Sequence, residues 1–176
     1  MKKLYQNTLI ILLIFNFSCS KDFEIEKSDT SGKLAGIWNV EKYEYEGVTT
    51  SIFQNDHTVT RFKGFGWNLN ITMSFSENPN NYALNGSYFV DHFITQNNGQ
   101  EILYFGDLTT DEAGIWDRTG HQVTLKIDGN NIRCYIAELT EDSMEFLINS
   151  HETETEADGT TTTTQLTRVY NLKRIN

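Results

Sequence analysis

The amino-acid sequence predicts an all-β fold, an antiparallel up-and-down barrel of about eight strands. Apolar and polar residues alternate along several runs, and residues 69–76 (LNITMSFS) show the strictest alternation. Turn-forming sequences such as DGNN at 128–131 separate the runs. A closed barrel is favoured because closure leaves no unpaired edge strand, and a two-sheet sandwich is the alternative.

The alternation predicts eight or nine strands joined by short connections. Most runs place Val, Leu, Ile, Met or Phe on one side, which is the side expected to face the core. In chain order the predicted strands are 36–46, 69–76, 82–90, 101–108, 114–117, 121–128, 132–140, 143–156 and 160–174. Residues 47–66 are less regular, and we expect them to form either a lid or an extra strand.

The last hairpin gives the sharpest local expectation. A two-residue turn would place the apolar residues of one strand opposite polar residues of the other. A three-residue loop at 157–159 instead pairs Met144 with Leu172 and Phe146 with Tyr170, so we predict that register. The same face then carries Glu152, Glu154 and Glu156. We interpret this acidic stretch as a solvated extension of the hairpin, with a lip that recruits cations as the alternative.

Length, composition and charge restrict the class of protein. The chain has 176 residues and a formal net charge of -10, and aromatic residues make up 12% of it. This length is typical of one domain, and we expect a monomer. The acidic balance argues against nucleic acid as a partner, because nucleic acids attract patches of Lys and Arg.

The amino terminus has the pattern of an export signal. Residues 1–18 combine a short positive start with an uncharged apolar run, as secretory signal peptides do. Cys19 follows a small residue at the end of that run, which resembles the lipobox of bacterial lipoproteins. The resemblance implies cleavage before Cys19, acylation with chains such as palmitate, and anchoring in the outer membrane, on its periplasmic face or at the cell surface. We expect a polar tether over residues 19–33 and the folded domain over residues 34–176.

The sequence contains no phosphate loop, dinucleotide fingerprint or nucleophile motif, so we expect neither an enzyme nor a cofactor. The histidines show no pair at the spacing of metal ligands: His57, His92, His121 and His151. Asp107, Asp111 and Glu112 lack the spacing of a calcium loop, and we interpret them as a solvated loop. Cys134 has no base near it in the sequence and is interpreted as a small buried hydrophobe.

Two short motifs and the segment between them resemble the lipocalin family. Residues 34–40 (LAGIWNV) are similar to the Gly-x-Trp opening of its first strand, and residues 169–174 (VYNLKR) are similar to its closing strand. Residues 114–149 resemble the middle of lipocalin-like domains carried by bacterial lipoproteins, whereas residues 47–68 have no counterpart. The resemblance implies structural roles, with the Arg stacked on the indole at the closed end of the barrel, for Gly36, Trp38 and Arg174.

The resemblance also implies a non-catalytic protein that binds a small apolar or aromatic molecule inside the barrel. The candidate lining residues are Trp67, Trp116, Phe146, Arg168 and Tyr170. In the predicted register Arg168 shares the face of Tyr170, where it would meet either a ligand carboxylate or an internal Glu. The alternative is a structural lipoprotein with a filled barrel, which contacts a glycan or an envelope protein through its acidic face or residues 47–67. A cavity of roughly 300 Å³ or more favours binding, and a closed interior favours the alternative.

Overall fold

The structure is a computed structural model, and it describes residues 29–95 and 99–175. The predictions of a signal peptide over residues 1–18 and of lipidation at Cys19 fall outside these described ranges. Within the described ranges, no helix has the length and apolar character needed to cross a membrane.

The regular structure of the described chain consists of eight strands. They are β1 Gly36–Phe53, β2 Asp56–Ser76, β3 Asn81–Thr95, β4 Glu101–Thr119, β5 Gln122–Ile127, β6 Asn130–Leu139, β7 Ser143–Thr155 and β8 Thr161–Ile175. Each strand pairs antiparallel with the next along the chain, and β8 pairs with β1, so the sheet closes into a barrel. The predicted all-β up-and-down barrel is confirmed, and the two-sheet sandwich is wrong.

Residues 47–66 do not form a lid. They are the far halves of β1 and β2, which pair without interruption as far as the hairpin turn. The alternation is weak there because two inward positions are glycines. A Cβ at Gly47 would lie 2.4 Å from the Phe62 ring, and a Cβ at Gly64 would lie 2.2 Å from the Tyr45 ring. Each large ring therefore occupies the space of the side chain that the opposite glycine lacks.

The predicted strands 101–108 and 114–117 are parts of one strand, β4. Its middle, residues 107–113, is polar and resembles a loop in sequence, but it pairs with β3 at every residue. The prediction of a solvated loop there is wrong, because the edge of a sheet tolerates polar residues on both faces.

The predicted register of the last hairpin is confirmed. β7 pairs with β8 so that Met144 faces Leu172 and Phe146 faces Tyr170. Gly159 takes the left-handed conformation (φ 89°) that the three-residue loop requires. The strands then stay paired as far as their polar ends near the loop, so the acidic stretch is a regular part of the hairpin.

The hydrophobic core fills the end of the barrel where β1 begins. Its largest fully buried side chains include Trp38, Tyr82, Phe146, Ile71, Met73, Leu125, Ile136, Leu139 and Met144. The Trp38 indole donates a hydrogen bond of 3.0 Å to the Leu34 carbonyl oxygen, and Cζ of Arg174 lies 4.0 Å from the ring centroid. Gly36 allows this approach, because a Cβ there would lie 2.1 Å from Nη1 of Arg174.

A complete ring of strands closes only this end of the barrel. β5 and β6 are short, so β4 pairs with β5 over Ile115–Thr119 and β7 pairs with β6 over Met144–Ile148. Beyond these residues the sheet is open between β4 and β7. We call the two unpaired sides the β4 edge (residues 101–114) and the β7 edge (residues 149–155). The expectation that closure leaves no unpaired edge strand is therefore met at one end of the barrel and not at the other.

Candidate functional site

The inward faces of β1, β2, β3, β4 and β8 surround a cavity of about 160 Å³ that adjoins the core. Its lining residues are Tyr43, Ile71, Leu84, Tyr88, Thr109, Thr110, Glu112, Arg168 and Tyr170. Period-two alternation places Arg168 and Tyr170 there, since both share one face of β8 with buried Leu172. We call this space the tyrosine–arginine cavity.

Three tyrosines form one wall of the cavity. The Tyr43 ring stacks on Tyr170 with centroids 4.8 Å apart, and Tyr88 meets Tyr43 edge-on at 5.3 Å. Burial raises the pKa of Tyr43 and of Tyr170 above the ordinary tyrosine value, so both hydroxyls keep their protons at neutral pH. Tyr170 is only 5% exposed, and its hydroxyl forms no hydrogen bond with the described residues. That hydroxyl can therefore donate toward the cavity.

Arg168 brings a positive charge into this cavity. It is partly buried, and within the described ranges it forms neither an ion pair nor a hydrogen bond. Its charge acts on Tyr43 and Tyr170, where it opposes the rise in pKa that burial causes. Glu112 lines the same cavity from β4, but the ion pairs of the described chain do not join it to Arg168. Glu112 is also an exposed residue, so it is not the internal Glu that was expected to meet Arg168.

Tyr82 has an unsatisfied hydroxyl in the adjoining core and does not line the cavity. Its side chain is 2% exposed, and its hydroxyl has no hydrogen-bond partner among the described residues. Burial raises the pKa of Tyr82, Glu112 adds to the rise, and Arg168 opposes it. A buried hydroxyl left without a partner costs about 1–3 kcal/mol.

Four aromatic side chains lie beyond the cavity toward the open end, and we call them the aromatic layer: Tyr45, Phe62, His92 and Tyr104. The Tyr45 hydroxyl oxygen is 2.6 Å from Nδ1 of His92, and the two rings stack with centroids 5.7 Å apart. Phe62 lies 5.8 Å from the His92 ring. Burial lowers the pKa of His92, which favours the neutral ring. Aromatic rings therefore continue along the inner wall from the tyrosine–arginine cavity toward the open end.

The structure separates the predicted lining residues into three groups. Arg168 and Tyr170 line the tyrosine–arginine cavity. Phe146 is fully buried in the core, and Trp116 is 9% exposed, with its indole donating a hydrogen bond of 2.9 Å to the Ser76 carbonyl oxygen. Both side chains belong to the core cluster and do not line this cavity, because their strands meet at the closed end.

Trp67 does not face the interior. It is 48% exposed, its ring stacks on Phe89 at 4.7 Å, and its Nε1 donates to Asp91 at 2.9 Å. The register of β2 shifts between Trp67 and Asn70, with Asn68 at φ 51°. That irregularity reverses the side of the sheet on which Trp67 lies relative to the alternating residues 69–76.

A larger cleft of about 710 Å³ crosses β7, β8, β1, β2 and β3 nearer the open end. Its lining combines neighbouring residues of both strand faces: Glu46, Gly47, Val48, Arg61, Phe62, Lys63, Thr95, Asn149, Ser150, His151, Gln165, Leu166 and Thr167. Most of these side chains are polar or charged. The chain thus has a small cavity with tyrosines and an arginine, and a large cleft with few aromatic rings.

Groups suited to catalysis or metal binding are not concentrated in the described ranges. No group of three or more His, Cys, Asp or Glu side chains there is arranged to hold a metal ion. Cys134 is buried, and burial raises the pKa of its thiol to about 12. A thiol with that pKa stays protonated at neutral pH and is a poor nucleophile.

Comparison with known families gives one match. The family described as Lipocalin-like domain matches residues 34–146, which is more than half of the chain and extends from β1 into β7. No curated protein and no solved structure matches the chain. The matched region contains Gly36 and Trp38 at its start, and it ends before β8, which supplies Arg168 and Tyr170.

Proposed function

We propose that this chain, which belongs to the lipocalin-like domain family, holds a small carboxylate-bearing ligand inside its barrel. One observation carries the proposal: Arg168 lines an interior cavity and has no ion pair or hydrogen bond with the described residues. The guanidinium group is partly buried, and an anionic partner would stabilise its charge there. A carboxylate fits best, because it accepts two parallel hydrogen bonds from the planar fork of an arginine.

The surrounding residues favour an aromatic or amphipathic ligand. Tyr170 offers a protonated hydroxyl in the same cavity as the guanidinium group, and it can donate to a carboxylate or to a water that bridges to it. The cavity of about 160 Å³ is smaller than the roughly 300 Å³ that was expected for a binding barrel, so it would accept only a head group and a few carbon atoms. A ring or short apolar tail would extend toward the aromatic layer, where Tyr45 and Phe62 supply flat surfaces.

These groups favour binding of a ligand without its chemical conversion. The His92 ring is hydrogen-bonded to Tyr45 and stacked on it, and Cys134 is buried in the core. Neither arrangement places a nucleophile beside a general base within the described chain. We therefore propose a carrier or receptor of the ligand rather than an enzyme.

Anchoring by a lipid on Cys19 is part of the proposal. The residues that follow this position reach the closed end of the barrel, where Leu139 donates to the Asp29 carbonyl oxygen at 2.7 Å and Gly32 donates to the Leu139 carbonyl oxygen at 2.9 Å. A chain that enters the barrel at its closed end leaves the open end free for a ligand.

The alternative function is that of an interaction lipoprotein. It is favoured by a different observation, the large apolar side chains on the outside of the barrel, of which Phe105 is 74% exposed. Such a surface suits a protein or glycan partner in the envelope. It does not exclude a ligand in the cavity, because the two features lie on opposite sides of the sheet.

Native mass spectrometry tests the proposed function. The full chain with Cys19→Ser is purified from its own host, together with the same chain carrying Arg168→Met. We expect an added mass on the first protein that is lost on denaturation and is absent from the second. Equal added mass on both proteins, or bare protein in both after incubation with carboxylic acids, would contradict a carboxylate site at Arg168.

A further inference from the structure

The β4 edge exposes strand backbone that no described strand covers. Residues 101–114 pair with β3 on one side, whereas pairing with β5 begins only at Ile115. The β7 edge across the opening is shorter and covers residues 149–155. An unpaired strand presents a row of N–H and C=O groups, and an extended segment of another chain can pair with it.

An apolar surface reaches this edge on the outside of the barrel. Six side chains of β2, β3 and β4 form it, and we call them the outer aromatic face: Phe65, Trp67, Phe89, Phe93, Leu103 and Phe105. Trp67 stacks on Phe89, and Phe65 meets Phe93 edge-on at 6.1 Å. Phe105, on the edge strand itself, is 74% exposed. Contiguous exposed apolar side chains mark interaction sites on soluble domains.

The charge of the edge indicates which partner fits. Residues 101–114 contain Glu101, Asp107, Asp111 and Glu112 and no Lys or Arg. Glu101 binds Lys63 at 3.1 Å, but Asp107 and Asp111 have no ion pair within the described ranges. Both lie on the outer face of β4, in alternation with Phe105. Two copies of this edge would bring like charges together, which disfavours self-pairing.

We propose that the β4 edge and the outer aromatic face bind an extended basic segment of a partner protein as an added β-strand. Charge complementarity selects this occupant, because every charged residue of the edge is acidic and the whole chain carries a net charge of -10. Acidic residues alone would serve to prevent aggregation, but a Phe that is 74% exposed on the same strand does not serve that purpose. The proposal concerns the outside of the barrel and is independent of a ligand in the cavity.

The alternation of β4 predicts the pattern of the partner strand. Residues opposite Leu103 and Phe105 would be apolar, and residues further along the same face, opposite Asp107 and Asp111, would be Lys or Arg. The other face of the partner strand would follow the opening of the barrel and tolerate small polar residues. A period-two segment with an apolar half and a basic half therefore matches the edge.

Synthetic peptides test the proposal on the full chain with Cys19→Ser. The probe is a labelled TVTVTKTTTKT peptide, in which the two Val match Leu103 and Phe105 and the two Lys match Asp107 and Asp111. It is accompanied by its reversed sequence, which tests the other strand direction, and by a version with Glu in place of Lys. Binding is followed by fluorescence anisotropy and by hydrogen exchange of the β4 amides. The test variants are Phe105→Ser and Asp107→Lys combined with Asp111→Lys. Their matched controls on β4, where β5 covers the edge, are Ile115→Ser and Asp117→Lys.

We expect one basic peptide to bind, to protect amides within residues 101–114, and to lose affinity as salt is raised. Each test variant should weaken binding by about tenfold, while the controls bind as the parent does. Absence of binding at about 1 mM peptide would overturn the proposal, since that is the weak limit of a specific contact. Equal binding of the Glu peptide, protection elsewhere than on β4, or a dimer of the chain that Phe105→Ser dissociates would also overturn it.

Discussion

The guanidinium group of Arg174 covers the indole of Trp38, with Cζ 4.0 Å from the ring centroid. The same group donates to the Ala35 carbonyl oxygen at 2.9 Å and to the Glu141 carbonyl oxygen at 2.6 Å. It also donates to the carbonyl oxygen of Lys33. One side chain near the end of β8 thus joins the start of β1, the turn before β7 and the residue that fills the closed end of the barrel.

Arg174→Ala should lower the free energy of unfolding by about 2–4 kcal/mol, because it removes a cation–π contact and several charge-assisted hydrogen bonds. Urea denaturation followed by tryptophan fluorescence measures the change. Lys173→Ala is the control, since Lys173 is exposed on the opposite face of β8 and should change stability by less than about 0.5 kcal/mol. Equal midpoints for the two variants would show that the Arg174 contacts contribute nothing to the closed end.

Phe146→Ala should destabilise the barrel by about 3–5 kcal/mol, because it leaves a cavity in a fully buried site. Phe146 meets Phe75 edge-on at 5.8 Å, so the neighbouring core cannot close the space without moving a second ring. Thermal or urea unfolding measures the loss. Ile115→Ala is the matched control, since Ile115 is 52% exposed and should change stability by less than about 1 kcal/mol. A loss as small as that of the control would place Phe146 outside the core.

The sequence predicted those features of the barrel that depend on pairs of strands adjacent along the chain. The register of β7 and β8 follows from one local comparison, because Met144 and Leu172 are apolar and only one loop length places them opposite each other. The same reasoning placed Trp67 on the wrong face of the sheet. The irregularity at Asn68 moves the Trp67 side chain to the outer side of the sheet. The alternation of polar and apolar residues before and after Asn68 is unchanged, so no periodic signal marks this position.

The cavity depends on contacts between strands that are distant in the chain. Tyr43 comes from β1, Tyr88 from β3, Glu112 from β4 and Arg168 from β8, and only closure of the barrel brings these residues together. Alternation predicts that Arg168 and Tyr170 share a face, but it cannot predict how far β8 is shifted relative to β1. That shift decides whether Arg168 meets a tyrosine, a glutamate or open space.

The free energy of unfolding should fall in alkaline solution, because the buried thiol and tyrosines ionise more readily in the unfolded chain. The pKa of Cys134 is raised from 9.0 to about 12 by burial, and the pKa of Tyr43, of Tyr82 and of Tyr170 is raised for the same primary reason. Unfolded chains ionise first, so the contribution of Cys134 is complete below pH 9 and is lost as the pH rises toward 12. Urea unfolding at about pH 8 and about pH 11 measures this loss, and Cys134→Ala should reduce it. An identical pH dependence in Cys134→Ala would contradict the burial of the thiol.

His92 should titrate below the ordinary histidine value of 6.5, because burial opposes its protonation. A lowered pKa in the folded state means that His92 contributes fully above pH 6.5 and that this contribution is lost as the pH falls. NMR titration of the imidazole signals measures the midpoint. Tyr45→Phe removes the 2.6 Å contact to Nδ1 and should increase exchange broadening of the His92 signal. A midpoint above 6.5 would show that the His92 ring is not withdrawn from water.

Calorimetric titration of the Cys19→Ser chain tests the central claim most directly, with benzoate, phenylacetate and hexanoate as probes and their matching alcohols as neutral counterparts. We predict that a carboxylate binds where its alcohol does not, and that Arg168→Met weakens this binding by about tenfold or more. Arg133→Met is the control, since Arg133 is exposed on the outside of β6 and should leave the affinity unchanged. Equal affinity in Arg168→Met and Arg133→Met, or equal binding of an acid and its alcohol, would contradict a carboxylate site in the tyrosine–arginine cavity.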